Sequence, residues 1–389
     1  MTAAPAWIEI DAAAIAHNLG LVRQQLAPST ELCAVVKADA YGHGIDLVLP
    51  AIRDDLLTCI AITSNAEAHA ARAQGYTGRI MRLRPALADE IEDGVSAAIE
   101  EWVGGLGHAR LVDRIARERR RAILVHVSIN STGLSRDGID WGGGEAVAEL
   151  RGIAGLDGLR TVGVCSHFPC DDPLDVERGI AAFAQQSRIA VDVLGGVGPI
   201  QRHCATTHVA LSDTRSHFDL VRIGAALYGD TDLLDGTLRP AMRLLSRVAA
   251  INRYPAGNTA GYDRRHRMTS ASTLAVVPVG YADGYHRVLG GQAEVLICGR
   301  RAPVVDLLAM NTCLVDVTHL PEVRLGDEVV LYGDQGDERI SSQEIERVSG
   351  QIAADLYTAW GRLVPRTVRD DGGRGRERVA APVLASTVG

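Results

Sequence analysis

Up to about residue 230, short apolar runs alternate with amphipathic or alanine-rich stretches. The runs are "LCAVV" (32–36), "TCIAIT" (58–63), "RIMRL" (79–83), "AAIE" (97–100), "ILVHVSI" (123–129), "TVGVCS" (161–166), "IQRHC" (200–204) and "DLVRIG" (219–224). Short apolar runs separated by helical patterns predict parallel strands with crossover helices, and eight of them predict a (β/α)8 barrel. From about residue 240 the alternation stops. "LAVVPVGY", "AEVLICG", "APVVDLL", "CLVDVT" and "DEVVLYG" follow one another with turn residues and little helix between them, which predicts antiparallel strands. The expected fold class is therefore α/β: an N-terminal (β/α)8 barrel over 1–236 and a C-terminal, mostly antiparallel β domain over 237–366. The polar, Gly-rich, aperiodic segment 367–389 is expected to be a flexible tail.

Composition narrows the function classes. A net charge of −8 with 23% charged residues describes an ordinary soluble chain of 389 residues and argues against nucleic acid as a partner. The densest basic run, "RIARERRRAI" (114–123), fits the exposed end of a helix. No apolar stretch reaches the ~18 residues of a membrane span, and Glu9 and Asp11 interrupt any secretory signal, so no membrane partner and a cytoplasmic location are expected. Seven cysteines, an odd number in apolar runs, fit reduced thiols. Two groups imitate metal sites, Cys165, His167 and Cys170 in "CSHFPC" and His203, Cys204 and His208 in "HCATTH". Neither has a recognised ligand spacing, so no metal is expected.

Lys37 is the only lysine in the chain, every other basic residue among the 40 Lys and Arg being arginine. Arginine replaces lysine in charge and solubility, but a guanidinium keeps its proton, whereas an amine can attack a carbonyl or act as a base. Lys37 follows the apolar run "LCAVV" and precedes "DAYGHG", so it falls at the C-terminal end of a predicted barrel strand, where chemistry gathers in such folds.

"VVKADAYGHG" around Lys37 resembles the cofactor-lysine signature of the alanine racemase family. "STGLSRDG" (131–138), "SHF" (166–168), "FDLVRIGAALYG" (218–229), "GYADGY" (280–285) and "MN" (310–311) resemble later family motifs in the same order. "AITSNAEA", "RIMRLRPA", "LYGDT", "GNTAGYD" and "ADLYTAWG" are similar to the broad-specificity amino-acid racemase branch. The resemblance implies a pyridoxal 5'-phosphate enzyme that interconverts L- and D-amino acids by two-base Cα proton transfer, in a homodimer with shared active sites. By resemblance, Lys37 holds the cofactor and serves as one base, and Tyr262 serves as the other. His167 belongs to the tyrosine's network, and Arg222 faces the pyridine nitrogen. Arg136 and the backbone of Met310 contact the substrate carboxylate, and Tyr41, Thr207 and Gly224 contact phosphate. Tyr281 narrows the entrance. Two other readings carry less weight: a noncatalytic carrier on a similar barrel lacks the β domain and the opposing tyrosine, and a related decarboxylase wants an acid where Arg222 stands.

This chain departs from the pattern in places. The carbamylated lysine that braces the substrate arginine in many alanine racemases is Ile129 here, so Arg136 needs another support, for which Asn130 and Ser131 are the candidates. The family's Asn-Ser pair is Thr206-Thr207, the proline of its "VRPG" is Ile223, and the approach to Met310 reads "DLLAM". Ala354 falls where alanine racemases carry a tyrosine that narrows the entrance and touches phosphate, with Tyr357 the alternative residue for that role. A methyl in place of a phenol predicts room for side chains larger than alanine's.

Overall fold

Eight parallel strands form one sheet, in the order Gln201–His203, Leu159–Cys165, Ile123–Ser128, Ile99–Val103, Arg79–Arg82, Cys59–Ile62, Glu31–Val35 and Leu220–Ile223. The computed structural model describes residues 4–52, 57–196, 198–369 and 376–380. The first and last strands of this sheet approach through Asp219 N donating to Arg202 O and Arg222 N to Ala205 O, both at 3.1 Å, which brings the sheet close to a closed barrel. The strand over 97–100 is displaced, because the register settles on Ile99–Val103, whose five residues are all buried.

The helices that follow the strands start and stop on local chemistry. Asn65–Ala73 opens on a capping box in which Ser64 Oγ accepts from Glu67 N (3.3 Å) and Glu67 Oε2 accepts from Ser64 N (3.1 Å). Pro173–Leu194 places proline in its first turn behind Asp172, whose carboxylate accepts from Leu174 N and Asp175 N. Leu106–Glu118 buries Ala109, Val112, Ile115 and Ala116 on one face and leaves the run Arg117–Arg121 exposed at its end.

The chain divides into two compact units built from interleaved segments. One unit holds residues 16–38 and 49–239; the other holds the described residues within 1–15, 39–48 and 240–389. The N-terminal strand Ala6–Ile10 belongs to the second unit, antiparallel to Met242–Arg247 and parallel to Arg366–Val368. The sheet continues through Glu328–Gln335, Glu294–Ile297 and Arg300–Pro303, and a separate sheet joins Ala250–Tyr254, Ser272–Val277 and Cys313–Asp316. Two helices, Ser342–Ser349 and Ala353–Leu363, follow these strands. Within the expected tail, Arg376–Ala380 pairs antiparallel with Arg366–Val368, while 370–375 and 381–389 lie outside the described residues.

Candidate active site

Lys37 opens a helical turn of the wrong hand. Ala38, Asp39, Ala40 and Tyr41 have φ between +53° and +56°. L-residues pay ~1–2 kcal/mol each for that conformation, so the turn costs roughly 4–8 kcal/mol. Contacts within the second unit offset it. The buried Asp39 carboxylate accepts from Ile45 N (2.9 Å) and pairs with buried Arg366 Nη2 (2.6 Å), and Arg366 Nε donates to Gly42 O (3.0 Å). Gly42 is required by space as well as by its φ of +78°, since a Cβ there would lie 2.1 Å from Tyr357 O.

Lys37, Arg136, His167, Arg222, Thr207 and Gly224 all fall at or just beyond C-terminal ends of barrel strands. Burial lowers the Lys37 ammonium below its ordinary range, and Arg136 and Arg222 lower it further against a smaller opposing effect of Glu67. The same setting keeps His167 neutral: burial first, then Arg222, Arg136 and Lys37, bring its imidazole down to about 3. Arg222 is buried, its guanidinium carbon 5.6 Å from the Trp102 ring centroid. Nη2 donates to Ser166 O (2.7 Å) and Cys204 O (3.2 Å), and faces His167 Nδ1 at 3.4 Å. Because arginine only donates, His167 Nδ1 accepts and its proton sits on Nε2.

A buried line of polar side chains leads from Arg222 into the barrel. Arg222 Nη1 donates to His203 Nδ1, His203 Nε2 lies 2.9 Å from His126 Nδ1, and His126 Nε2 lies 2.9 Å from Glu100 Oε2. Glu100 also receives Arg79 at 2.8 Å. Burial works to raise the Glu100 carboxyl, but hydrogen bonds from His126 and Arg79 outweigh it and hold it at about 2. Burial keeps both histidines neutral. With an arginine donating at one end and a carboxylate accepting at the other, each imidazole has one possible tautomer, with Nε2 protonated. Gly163 makes room for this line, since a Cβ there would lie 2.0 Å from His126 Nδ1. Sequence reasoning missed His126, Glu100 and Arg79; the signal available was charge and imidazole inside apolar strands such as "IEEWV" and "ILVHVS". His203, one of the residues that imitate a metal site in the sequence, accepts from Arg222.

Arg136 is half-exposed and donates from Nε to Asp137 Oδ2 at 3.1 Å. The candidates for its support are corrected here: Asn130 bonds Ser135 Oγ and Asp140 Oδ2, and Ser131 Oγ has no hydrogen-bond partner. Thr207 and Gly224 come together, Thr207 Oγ1 accepting from Gly224 N at 3.1 Å. Thr207 begins the short turn Thr207–Ser212 and Gly224 immediately precedes Ala225–Tyr228, turns whose first N–H groups suit a phosphate. Tyr41 is half-buried at the end of the left-handed turn.

The other predicted residues lie in the second unit with exposed side chains: Tyr262, Tyr281 and Met310. Tyr262 follows Gly261, whose φ is +70° and where a Cβ would lie 2.4 Å from Asp306 Cβ. Tyr281 and Met310 are joined through backbone, Tyr281 N donating to Ala309 O and Ala282 N to Met310 O. Ala354 is half-buried in the first turn of its helix. Tyr357 is buried, its hydroxyl bonded to that of Tyr332 and its ring packed against Trp360 and His43.

An amine lowered by burial at a barrel strand end, two arginines acting on it, and two short helical turns brought together by the Gly224–Thr207 bond fit pyridoxal phosphate and define a pyridoxal phosphate-dependent barrel enzyme. Residues 10–232 match the alanine racemase N-terminal domain and 241–368 the alanine racemase C-terminal domain. The chain belongs to the alanine racemase family and is an amino-acid racemase. It is 41% identical over 370 residues to a broad specificity amino-acid racemase of Pseudomonas putida, covering 94% of this chain and 90% of that one. It is 38% identical over 365 residues to a lysine racemase of Proteus mirabilis, covering 94% and 89%. Among solved structures, alanine racemase of Clostridium difficile 630 superposes with a TM-score of 0.88 at 27% identity, covering 99% of this chain and all of that one. The Bacillus anthracis enzyme with bound L-Ala-P gives 0.85 at 29% identity, covering 97% and 98%.

Proposed function

We propose that this protein racemises amino acids with side chains larger than alanine's, as well as alanine, using Lys37 and Tyr262 as bases on opposite faces of Cα. Pyridoxal phosphate, when bound, supplies the electron sink that makes Cα–H cleavage feasible. Lys37 holds the cofactor and then moves a proton at Nζ, a role supported by burial and two flanking arginines that favour its free amine. This observation carries the reading. Arg222 directs a donor at the ring nitrogen without surrendering its proton; its bonds to His203, Ser166 and Cys204 use the terminal nitrogens, which leaves Nε–H for that contact. Arg136 and the Met310 N–H hold the substrate carboxylate, and Tyr41, Thr207 and Gly224 hold phosphate. Tyr262 and His167 form the second proton-transfer group, with Tyr281 at the entrance. The exposure of Tyr262, Tyr281 and Met310 supports a homodimer in which they complete the site of the other copy. The enzyme acts on free amino acids in the cytoplasm.

Broad specificity rests on Ala354. Tyr357, the alternative wall, is turned into an aromatic cluster and tied to Tyr332, which supports an open entrance. The test is α-proton exchange in deuterated water with single enantiomers of alanine, serine, methionine, lysine and arginine. Exchange into both enantiomers of several is expected. A kcat/KM for alanine more than roughly a hundredfold above all others, about 2.7 kcal/mol in transition-state terms, would leave a strict alanine racemase. No exchange with any would leave a carrier.

A further inference from the structure

The geometry points to Asp137 as the positioning residue for Arg136: its carboxylate, anchored to two barrel strands, is a built-in counter-anion that holds the guanidinium in place for the substrate carboxylate. The inference rests on the role proposed above for Arg136.

The anchoring is specific to one oxygen. Asp137 Oδ1 accepts from Ser128 Oγ at 2.7 Å and from Trp102 Nε1 at 2.9 Å. Both donors are buried, and they stand on neighbouring strands, Ile123–Ser128 and Ile99–Val103. Oδ2 is thereby aimed at Arg136 Nε, 3.1 Å away. The loop carrying the pair is pressed against the strand ends. Gly138 N donates to Gly104 O (3.2 Å), Ile139 N donates to Ser128 O (3.0 Å), and a Cβ on Gly138 would lie 2.9 Å from Ser128 Oγ. A flexible, half-exposed arginine thus leans on a fixed charge.

Such a support is needed because the usual one is missing. Ile129 has no amine to carbamylate, and the chain has no lysine besides Lys37. A carboxylate one residue beyond Arg136 supplies the same negative charge without modification or a bound ion. Burial acts to raise the Asp137 carboxyl, but the bonds from Ser128, Trp102 and Arg136 outweigh it and keep it below the usual range, so the anion persists at neutral pH. Because Nε takes the brace, the two terminal nitrogens remain for a bidentate grip on the substrate carboxylate.

Asp137→Asn is the discriminating variant. Its amide oxygen can still accept from Ser128 and Trp102, so the fold is kept while the atom facing Arg136 becomes an NH2 without charge. Steady-state kinetics should show KM for the amino acid raised about tenfold or more, with a smaller change in kcat and an unchanged thermal midpoint and cofactor absorbance. In Asp137→Ala, sodium formate should restore kcat/KM severalfold while leaving wild type unaffected. Wild-type activity should not change when carbon dioxide is stripped from the buffer. Asparagine and alanine variants within threefold of wild-type KM, or a lost kcat/KM that formate does not restore, would overturn the inference. Absence of exchange in wild type would instead defeat the racemase reading itself.

Discussion

Arginine at position 37 would keep charge and bulk but could not attack a carbonyl or give up its proton. Lys37→Arg is therefore expected to fold normally and to lose racemisation to below about one thousandth of wild type; more than a trace of turnover, read by polarimetry, would contradict the role given to Lys37. Tyr262→Phe should be lopsided. Each base serves one face, so single-turnover α-proton exchange should fall at least a hundredfold or so for one enantiomer and little for the other, whereas equal, mild effects would remove Tyr262 from the chemistry. At this scale the sequence offered a lone lysine, an arginine in "LVRIG" and a histidine in "CSHF" as candidates, and the fold places all three at or just beyond barrel strand ends. It was silent about Asp137 and the line through His203, His126 and Glu100, because those roles come from strands that are neighbours in space and far apart in the chain.

Elements were legible when their own pattern decided them. Several barrel strands are apolar runs whose burial comes from local hydrophobicity, as in Cys59–Ile62, whose four residues are all buried. Ala6–Ile10 is a short apolar run as well, but its place in the second unit depends on partners, Met242–Arg247 and Arg366–Val368, more than two hundred residues away. The left-handed turn at Ala38–Tyr41 was equally invisible: none of its residues is glycine, and its support is Arg366. Breaking that pair leaves Asp39 as a buried charge without its cation. Arg366→Ala is expected to lower the unfolding free energy by about 3–5 kcal/mol, measured in urea. A loss below about 1 kcal/mol would mean that other contacts hold the turn.

At the scale of the whole molecule, motif order gave the family and its barrel followed by a β domain, while the interleaving of segments 4–15 and 39–48 with the second unit depended on pairing no periodicity reports. Lys37 lies in one unit and Tyr262, exposed, in the other, and the central claim is that one copy's lysine works with Tyr262 of the partner subunit. Racemisation needs both bases, so Lys37→Ala and Tyr262→Phe should each be inactive alone. When the two are mixed and their subunits exchanged, half of the dimers are mixed and each carries one site with both groups intact, so roughly a quarter of wild-type racemisation should return. No recovery, although differently tagged subunits are shown to have exchanged, would contradict the shared site and the two-base account built on it.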